Sequence, residues 1–337
     1  MNLSKLIMAA GLLALALPVC SGASLLAQNQ IQNQKQQNEK DKAPQDAAFP
    51  PFQLDQRQGF LAPSLLMKGT VAADPNLKVY CFTYKGCRVS LLLLDSKKLV
   101  LKPALASSAT ETTEVVAAGS GAIAATNGGY FNLSDGKSTS FVVLDGRLVA
   151  DPRENKALTG NPRLTAFLPK IYERSELRVY QDKLGKISYA IAAHSDAVPA
   201  ALTLRHSLQG GPRLLPQLTA EAEAFLRTES DGKIVDSIGV NRTAARTAVA
   251  FLIDGRAMLV SCAGKGQDEF SSGLTLADLS ALLKSIGAVE ALNFDGGTST
   301  TMVCGVKGLN ASAKSYTMLI GRKPQTRVRS ILQVVSR

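Results

Sequence analysis

Residues 288–303 read AVEALNFDGGTSTTMV, and the rest of the chain is organised around this stretch. A short apolar run leads into Asp295-Gly296-Gly297, and four small hydroxyl residues follow. Adjacent glycines permit positive φ angles, so backbone amides can turn outward, and a carboxylate at the end of a buried strand can be held rigidly beside a ligand. The same residues are also typical of a tight turn, because Asp-Gly is common turn chemistry. The stretch alone leaves both interpretations open.

A helix is predicted directly before this stretch. Thr275 is a suitable N-cap, and Asp278 follows three residues later, as in a capping box. Gly287 is placed to end the helix at its C′ position. One face of the helix is apolar and consists of Leu276, Leu279, Leu282, Leu283 and Ile286. A second helix is predicted over residues 218–227, with Thr219 as its cap.

Most of the remaining chain alternates short apolar segments with turn residues. Three segments have the pattern of β-hairpins, and they cover residues 77–95, 141–150 and 247–262. Strands are many, helices are few, and the pattern is not an alternating βαβ one. We therefore expect an α+β fold, namely a single domain of mixed or antiparallel sheets with several hairpins and a few packed helices.

The first 62 residues differ in composition from the rest. Residues 1–22 combine Lys5 with an apolar segment of the length found in export signals. This signal ends either in an imperfect lipobox at Cys20 or at an ordinary cleavage site shortly afterwards, and an uncleaved anchor is the third alternative. Residues 23–62 are rich in Gln and Asn and cannot bury enough apolar surface to fold, so we predict a disordered tether. We expect residues 63–337 to form the domain of an exported protein, periplasmic, envelope-bound or secreted, with the N-terminus as a membrane or wall tether.

Charge and composition exclude several classes of function. The 38 basic and 27 acidic residues give a net charge of +11, spread along the chain without a run of the nucleic-acid-binding type, so we expect no nucleic-acid partner. An excess of positive charge suits anionic substrates or surfaces. With only His194 and His206 available, a His-based metal site is not expected. Oxygen atoms around Asp295 suit a hard divalent cation, but no full ligand set is readable, and metal dependence stays open.

Four cysteines follow the signal region: Cys81, Cys87, Cys262 and Cys304. An even number in an exported chain permits disulfides. Cys81 and Cys87 flank a turn and are candidates for a local bridge. Cys262 and Cys304 are then the remaining pair.

Polar, glycine-rich turns follow several apolar strands of the predicted fold. They have the sequences NGGYFN at 127–132, QGGPR at 209–213 and DGG at 295–297, and a fourth polar segment, NRTAART, covers 241–247. Amides, a carboxylate and arginines at strand ends are the groups that an anionic sugar site needs. Arginine suits this role because its planar fork can hold a phosphate through two hydrogen bonds.

Taken in order, these motifs closely resemble those of the phosphodiester glycosidase family. The resemblance rests on NGGYFN, QGGPRLL, RTAVA, LIDGR and SGLTLADLSALLKSIGAVEALNFDGGTSTTM and covers residues 121–337. Thr298 stands where the family usually has a third glycine, and Phe294 stands where it usually has Leu. The resemblance implies hydrolysis of a sugar-1-phosphodiester at the glycosidic C–O bond, which releases a free sugar and a phosphomonoester.

This implied reaction assigns roles to the polar residues. A glycosidase usually needs two carboxyl groups, but a phosphate monoester is already a good leaving group and needs charge stabilisation more than protonation. We therefore expect two catalytic residues, Asp295 as nucleophile or base and Arg246 as phosphate clamp. The residues expected to bind the substrate are Asn127, Gly128, Gln209, Gly210, Arg213, Arg242, Asn293, Gly296, Gly297 and Ser299.

Two other functions fit the same motifs. The chain could be a catalytically silent module that binds a phosphoglycan at the cell envelope, or a phosphodiesterase that cuts the P–O bond. In each case the partner is a glycan phosphodiester of the envelope or the extracellular space.

Overall fold

The computed structural model of the protein describes residues 54–55, 60–61, 74–267, 272–306 and 315–337. These residues belong to one compact unit that covers 49–337. The predicted export signal, Cys20 and nearly all of the predicted tether lie outside the described residues. Among the helices that are described, none is long and apolar enough to cross a membrane.

The chain folds mainly into short strands. The first eleven are β1 (Leu54–Asp55), β2 (Phe60–Leu61), β3 (Leu77–Tyr84), β4 (Cys87–Leu94), β5 (Leu99–Leu105), β6 (Glu111–Thr112), β7 (Ala124–Asn127), β8 (Val142–Leu144), β9 (Arg147–Ala150), β10 (Ser175–Asp182) and β11 (Ile187–Ala193). They are followed by β12 (Leu202–Gln209), β13 (Arg213–Leu215), β14 (Leu226–Thr228), β15 (Ile234–Asp236), β16 (Arg246–Leu252), β17 (Ala257–Cys262), β18 (Ala288–Asn293), β19 (Met302–Val306), β20 (Ser315–Ile320), β21 (Arg327–Val328) and β22 (Ser330–Ser336).

Among the described residues, helices are few and short. The α-helices are α1 (Thr113–Ser120), α2 (Lys156–Thr159), α3 (Leu168–Tyr172) and α4 (Leu276–Ser285). Single 3₁₀ turns cover Pro152–Glu154, Thr165–Phe167 and Gly297–Ser299.

Three larger sheets carry the fold. A six-stranded sheet has the order β13-β18-β16-β17-β4-β3, and two five-stranded sheets have the orders β11-β10-β12-β8-β9 and β20-β19-β7-β22-β5. Neighbouring strands in all three are antiparallel. The predicted α+β class is therefore confirmed, with sheets of the antiparallel kind.

The three predicted hairpins are present as β3–β4, β8–β9 and β16–β17. Lys85 and Gly86 have φ angles of 49° and 68° at the first turn, and Asp145 and Gly146 have 50° and 78° at the second. Positive φ at both central residues is what a two-residue turn needs if it is to match the twist of its strands. Local turn chemistry therefore predicted these hairpins correctly.

Helix α4 has the predicted caps. The Thr275 Oγ1 accepts a hydrogen bond from Asp278 N at 3.1 Å and donates one to Asp278 Oδ2 at 2.7 Å. Gly287 follows the helix with a φ of 88°, a left-handed value that glycine adopts without strain. The predicted apolar face is buried against the six-stranded sheet. The helix thus covers one face of that sheet and leads directly into β18.

The predicted helix at 218–227 is wrong. The segment forms turns, with Ala224 at a φ of 55°, and it then enters β14. Thr219 does not cap a helix. It accepts from Arg213 N at 2.9 Å and hydrogen bonds to the buried Glu223 carboxylate. The hydrogen bond to Arg213 in the neighbouring strand β13 therefore overrides the local helical preference.

The core lies on both faces of the six-stranded sheet. Along β16, Ala248, Ala250 and Leu252 pack on the α4 side, whereas Val249 and Phe251 pack towards the five-stranded sheets. Because both faces are covered, residues 248–252 of this strand are all apolar rather than alternating with polar residues. Polar side chains are consequently placed at the ends of the strand.

The candidate disulfide pairs are not bridged, and Cys81, Cys87, Cys262 and Cys304 are buried free thiols. Cys81 pairs in register with Ser90 and not with Cys87, and the two cysteines face opposite sides of the sheet. Cys262 and Cys304 likewise belong to the core clusters on opposite sides. The thiols that meet are Cys87 and Cys262, and their hydrogen bond together with burial raises the pKa of Cys262.

Replacing Thr275 by Ala removes the N-cap of α4, and we expect the free energy of unfolding to fall by about 1 kcal/mol. Ser280→Ala is the matched control, because Ser280 Oγ only donates back to Leu276 O within the helix at 2.8 Å. The control should change stability by less than about 0.5 kcal/mol. Urea denaturation of both variants measures the difference, and equal effects would contradict the assigned capping role.

Candidate active site

The three glycine-rich turns that the sequence singled out converge at one place. The main-chain N–H of Asp295 donates to Gly128 O at 3.1 Å, and the N–H of Gly211 donates to Asn293 O at 2.8 Å. These two hydrogen bonds join the turns that follow β7, β12 and β18. One end of three strands from three different sheets therefore forms a single polar region.

Close backbone approach explains most of the glycines in these turns. A Cβ atom at Gly210 would lie 2.7 Å from Asn293 O, and one at Gly296 would lie 2.7 Å from Ala245 O. A Cβ at Gly128 would lie 2.7 Å from Ser330 Oγ. Gly297 differs, because it is exposed, has open space around its Cα and has a φ of 59°. Three of the four predicted substrate-binding glycines thus have a packing reason to be glycine.

Asp295 lies in the middle of this region and is partly exposed. Its Oδ1 accepts a hydrogen bond from Gly296 N at 2.9 Å, and its carboxylate is also hydrogen bonded to the side chain of Ser299. Burial raises the pKa of Asp295 to about 6, and the two hydrogen bonds oppose that shift. The carboxyl group can therefore change its protonation state near neutral pH, which is the property of an acid–base group in catalysis.

Asn127 fixes the main chain at Asp295. Its side chain is fully buried, and Nδ2 donates to Asp295 O at 2.6 Å. Its Oδ1 accepts from Thr247 Oγ1 at 2.7 Å and from Thr301 N at 3.1 Å. Asn127 thus joins β7, β16 and the residues after β18, and the structure places it behind the carboxylate as a positioning residue.

Tyr130 and Asn293 are hydrogen bonded to each other and to the main chain directly before Asp295. Tyr130 Oη donates to Gly211 O at 2.8 Å, and Asn293 Nδ2 donates to Tyr130 Oη at 2.9 Å. Burial, together with the negative charge of Asp295, raises the pKa of Tyr130, so its phenol stays neutral. The Oδ1 of Asn293 is buried and has no hydrogen-bond partner among the described residues.

Arg246 is buried, and its guanidinium is largely occupied by main-chain carbonyls. Nε donates to Leu274 O at 2.9 Å and Nη1 to Ile238 O at 3.0 Å. Nη2 donates to Arg242 O at 2.7 Å and also to Gly239 O. Burial lowers the pKa of Arg246. The structure places this residue as a clamp on the 238–242 loop, with little donor capacity left for the phosphate it was expected to hold.

The side chains of the remaining predicted residues, Gln209, Arg213 and Arg242, form other contacts or are exposed. Gln209 is fully buried, and its amide bonds to Tyr172 O at 2.9 Å, to Arg174 O at 3.2 Å and to Phe141 N at 3.2 Å. The side chain of Arg213 donates to Ile191 O at 2.5 Å. Arg242 is exposed on the loop that Arg246 holds. These side chains do not converge on Asp295 as the sequence suggested.

Sequence reasoning missed Arg174 and the two residues that hold it, Glu223 and Phe225. Arg174 Nε donates to Glu223 O at 3.0 Å, and its guanidinium carbon lies 3.7 Å from the centre of the Phe225 ring. The same ring packs on Tyr130 with 5.4 Å between centroids. No motif marks Arg174. The only sequence signal is its position one residue before β10, the strand that pairs with the one ending in Gln209.

No group of three or more His, Cys, Asp or Glu side chains that could hold a metal ion occurs in the part of the chain that the structure describes.

Comparisons with known proteins agree with the motifs and the fold. The chain resembles the catalytic domain of zebrafish N-acetylglucosamine-1-phosphodiester alpha-N-acetylglucosaminidase, a structure auto-inhibited by its pro-peptide, with a TM-score of 0.53, 16% identity and coverage of 81% of this chain and 86% of the other. A hypothetical protein from Synechocystis matches with a TM-score of 0.51 and 16% identity. The match covers 79% of this chain and 65% of that protein, so this chain spans less than two thirds of its length. A Burkholderia pseudomallei protein whose name describes it as exported matches with a TM-score of 0.51 and 16% identity, and the match covers 74% of each chain.

These identities are low, so the structural likenesses show a shared fold and no shared activity. No curated protein sequence matches the chain. The family model described as phosphodiester glycosidase matches residues 120–332, which is more than half of the chain. With the converging turns and the Asp-Gly-Gly motif in place, the chain belongs to the phosphodiester glycosidase family.

Proposed function

We propose that the protein hydrolyses a sugar-1-phosphodiester at the glycosidic C–O bond and releases a free sugar and a phosphomonoester. The observation that carries this proposal is the Asp295 carboxyl group, held at the meeting point of three turns with a pKa near 6. Membership of the family supports the choice of bond.

Asp295 acts in its ionised form in this reaction. A water oxygen bonds to the anomeric carbon, the C–O bond to phosphate breaks, and its electron pair passes to the phosphate oxygen. As a base, Asp295 accepts a proton from the water; as a nucleophile, it bonds to the anomeric carbon first, and water then displaces it. Ser299 and Gly296 N hold the carboxylate in place in either case.

We place the reaction outside the cytoplasm, on a glycan phosphodiester of the cell envelope or its surroundings. The basic and then apolar character of residues 1–22 supports export. One structurally similar protein is named as exported, which agrees with this location. The net charge of +11 suits an anionic substrate.

Asp295→Asn should reduce turnover of a sugar-1-phosphodiester by about 10²–10⁴-fold, because the amide can neither accept a proton nor attack the anomeric carbon. Asp254→Asn is the matched control. Asp254 also precedes a glycine after a strand, but it is exposed in a hairpin turn and pairs with Arg256. Release of free sugar from a panel of sugar-1-phosphodiesters, with and without a chelator, measures the turnover of the wild type and of both variants. Undiminished turnover by Asp295→Asn would remove Asp295 from the mechanism, and no turnover by the wild type would favour a binding module.

The pH dependence of kcat/KM follows from the same group. Because the ionised carboxylate is the active form, kcat/KM should rise with pH through about 6 in the free enzyme. Initial rates at saturating and subsaturating substrate across that range measure the profile. Hydrolysis in oxygen-18 water identifies the bond: label in the sugar supports C–O cleavage, and label in the phosphate would show that the protein cuts P–O instead.

Asp295→Asn should also stabilise the fold near neutral pH. The folded pKa is raised from 3.8 to about 6, so the folded state binds more protons than the unfolded state in this window, and stability falls as pH rises through it. The ionised carboxylate thereby lowers the free energy of unfolding by up to about 3 kcal/mol, and replacing it with the neutral amide removes this loss. Urea denaturation above pH 7 should show the gain, and denaturation near pH 4 should not. Equal effects at both values would contradict the raised pKa.

Arg246 acts as a positioning residue in this proposal. Arg246→Lys should lower the free energy of unfolding by about 2–4 kcal/mol, because a lysine cannot reach the carbonyls of Ile238, Gly239 and Leu274 together. Arg242→Lys, at an exposed position, should change stability by less than about 0.5 kcal/mol. Thermal or urea unfolding of the two variants makes the comparison, and a stable Arg246→Lys protein would argue against the structural clamp.

A further inference from the structure

The guanidinium of Arg174 differs from that of Arg246 in how many of its N–H groups already donate hydrogen bonds to the protein. Its Nε–H donates to Glu223 O, and no described residue accepts a hydrogen bond from Nη1 or Nη2. Arg246 gives hydrogen bonds to four main-chain carbonyls, and Arg178 gives all three of its nitrogens to neighbouring groups. The fork of Arg174 is therefore available to bind an anion.

This fork is held in one orientation. The guanidinium lies flat enough on Phe225 to bring its central carbon within 3.7 Å of the ring centre, and the Nε hydrogen bond to Glu223 O fixes its rotation. Burial lowers the pKa of Arg174 to about 10, so the group remains cationic at neutral pH. A preorganised, partly desolvated cation attracts an anion more strongly than an exposed one does. The charge of Arg227 contributes to the same lowering of the Arg174 pKa, whereas Tyr130 and the Glu223 carboxylate oppose it.

Contacts link Arg174 to Asp295 through Tyr130. The Phe225 ring touches both Arg174 and Tyr130, and Tyr130 Oη lies 3.4 Å from Phe294 O, the residue before Asp295. The charges of Asp295 and Arg174 both act on the phenol of Tyr130, in opposite directions. A carboxylate and an unoccupied guanidinium therefore flank one neutral phenol.

We propose that Arg174 binds the phosphate group of the substrate while the anomeric carbon faces Asp295. The identity of the bond that is cut rests on the proposed function, whereas phosphate binding by Arg174 does not. As the C–O bond breaks, its electron pair adds a second negative charge to the phosphate, and Arg174 stabilises that charge. The water oxygen ends on the sugar carbon, and its proton ends on Asp295 or in solvent. The substrate is accordingly a phosphodiester whose phosphate, and not its sugar, contacts the arginine.

Binding of inorganic phosphate to the full-length protein tests this assignment without any need for turnover. We expect saturable binding by the wild type in ³¹P NMR or calorimetric titrations. Arg174→Gln should weaken it by at least about tenfold, because a charged hydrogen-bonding partner is lost. Arg174→Lys should be intermediate, since it keeps the charge but not the fork. Arg153→Gln is the matched control, because Arg153 also lies over a phenylalanine, Phe141, but already forms a salt bridge with Asp151.

The outcomes separate this inference from the proposed function. If sugar-1-phosphodiesters are hydrolysed but Arg174→Gln binds phosphate as tightly as the wild type, the assignment of Arg174 is overturned and the function stands. If no hydrolysis occurs but phosphate binding is lost only in the Arg174 variants, the phosphate site stands and the function fails. Absence of saturable phosphate binding by the folded wild type, or an equal loss in Arg153→Gln, also overturns the assignment. In an active enzyme, Arg174→Gln should raise KM and lower kcat together.

Discussion

The buried amide of Asn127 holds the candidate site together. It donates to Asp295 O and accepts from Thr247 Oγ1 and Thr301 N, so one side chain joins the ends of three segments that are far apart in sequence. A fully buried amide must be satisfied on both sides, because each unpaired group costs about 1–3 kcal/mol. Any shift of β7 relative to β16 would break these bonds. The position of the Asp295 main chain therefore follows from the packing of the sheets.

The same packing explains why the polar residues collect at strand ends. The six-stranded sheet is covered by α4 on one face and by the five-stranded sheets on the other, which leaves no solvent-facing side for polar groups along β16. A carboxylate at the end of such a strand is partly desolvated, and this raises its pKa. The environment that makes Asp295 a useful base thus also makes its ionised form unfavourable for stability.

Local patterns in the sequence predicted much of the fold. The three hairpins and the capped helix α4 depend on residues within a few positions of one another, and all four are present. The sequence also placed the glycine-rich turns after apolar strands, but their meeting depends on how three sheets pack together. The helix predicted at 218–227 failed because Thr219 and Glu223 bond to Arg213, whose position only the sheet determines. The candidate cysteine pairs are not bridged in the structure, because strand register decides which thiols share a face.

The roles of the arginines could not be read from sequence, because they depend on which donors remain free after folding. Arg246 lies in a motif, yet its strand places the guanidinium among the carbonyls of residues 238–242, where it stabilises a loop. Arg174 lies in no motif, yet the turn around Glu223 and Phe225 leaves two of its nitrogens open beside Tyr130. Both residues are cations at neutral pH, so charge does not distinguish them. A phosphate can be bound only by a guanidinium whose hydrogen bonds the protein has not already used, and this condition favours Arg174.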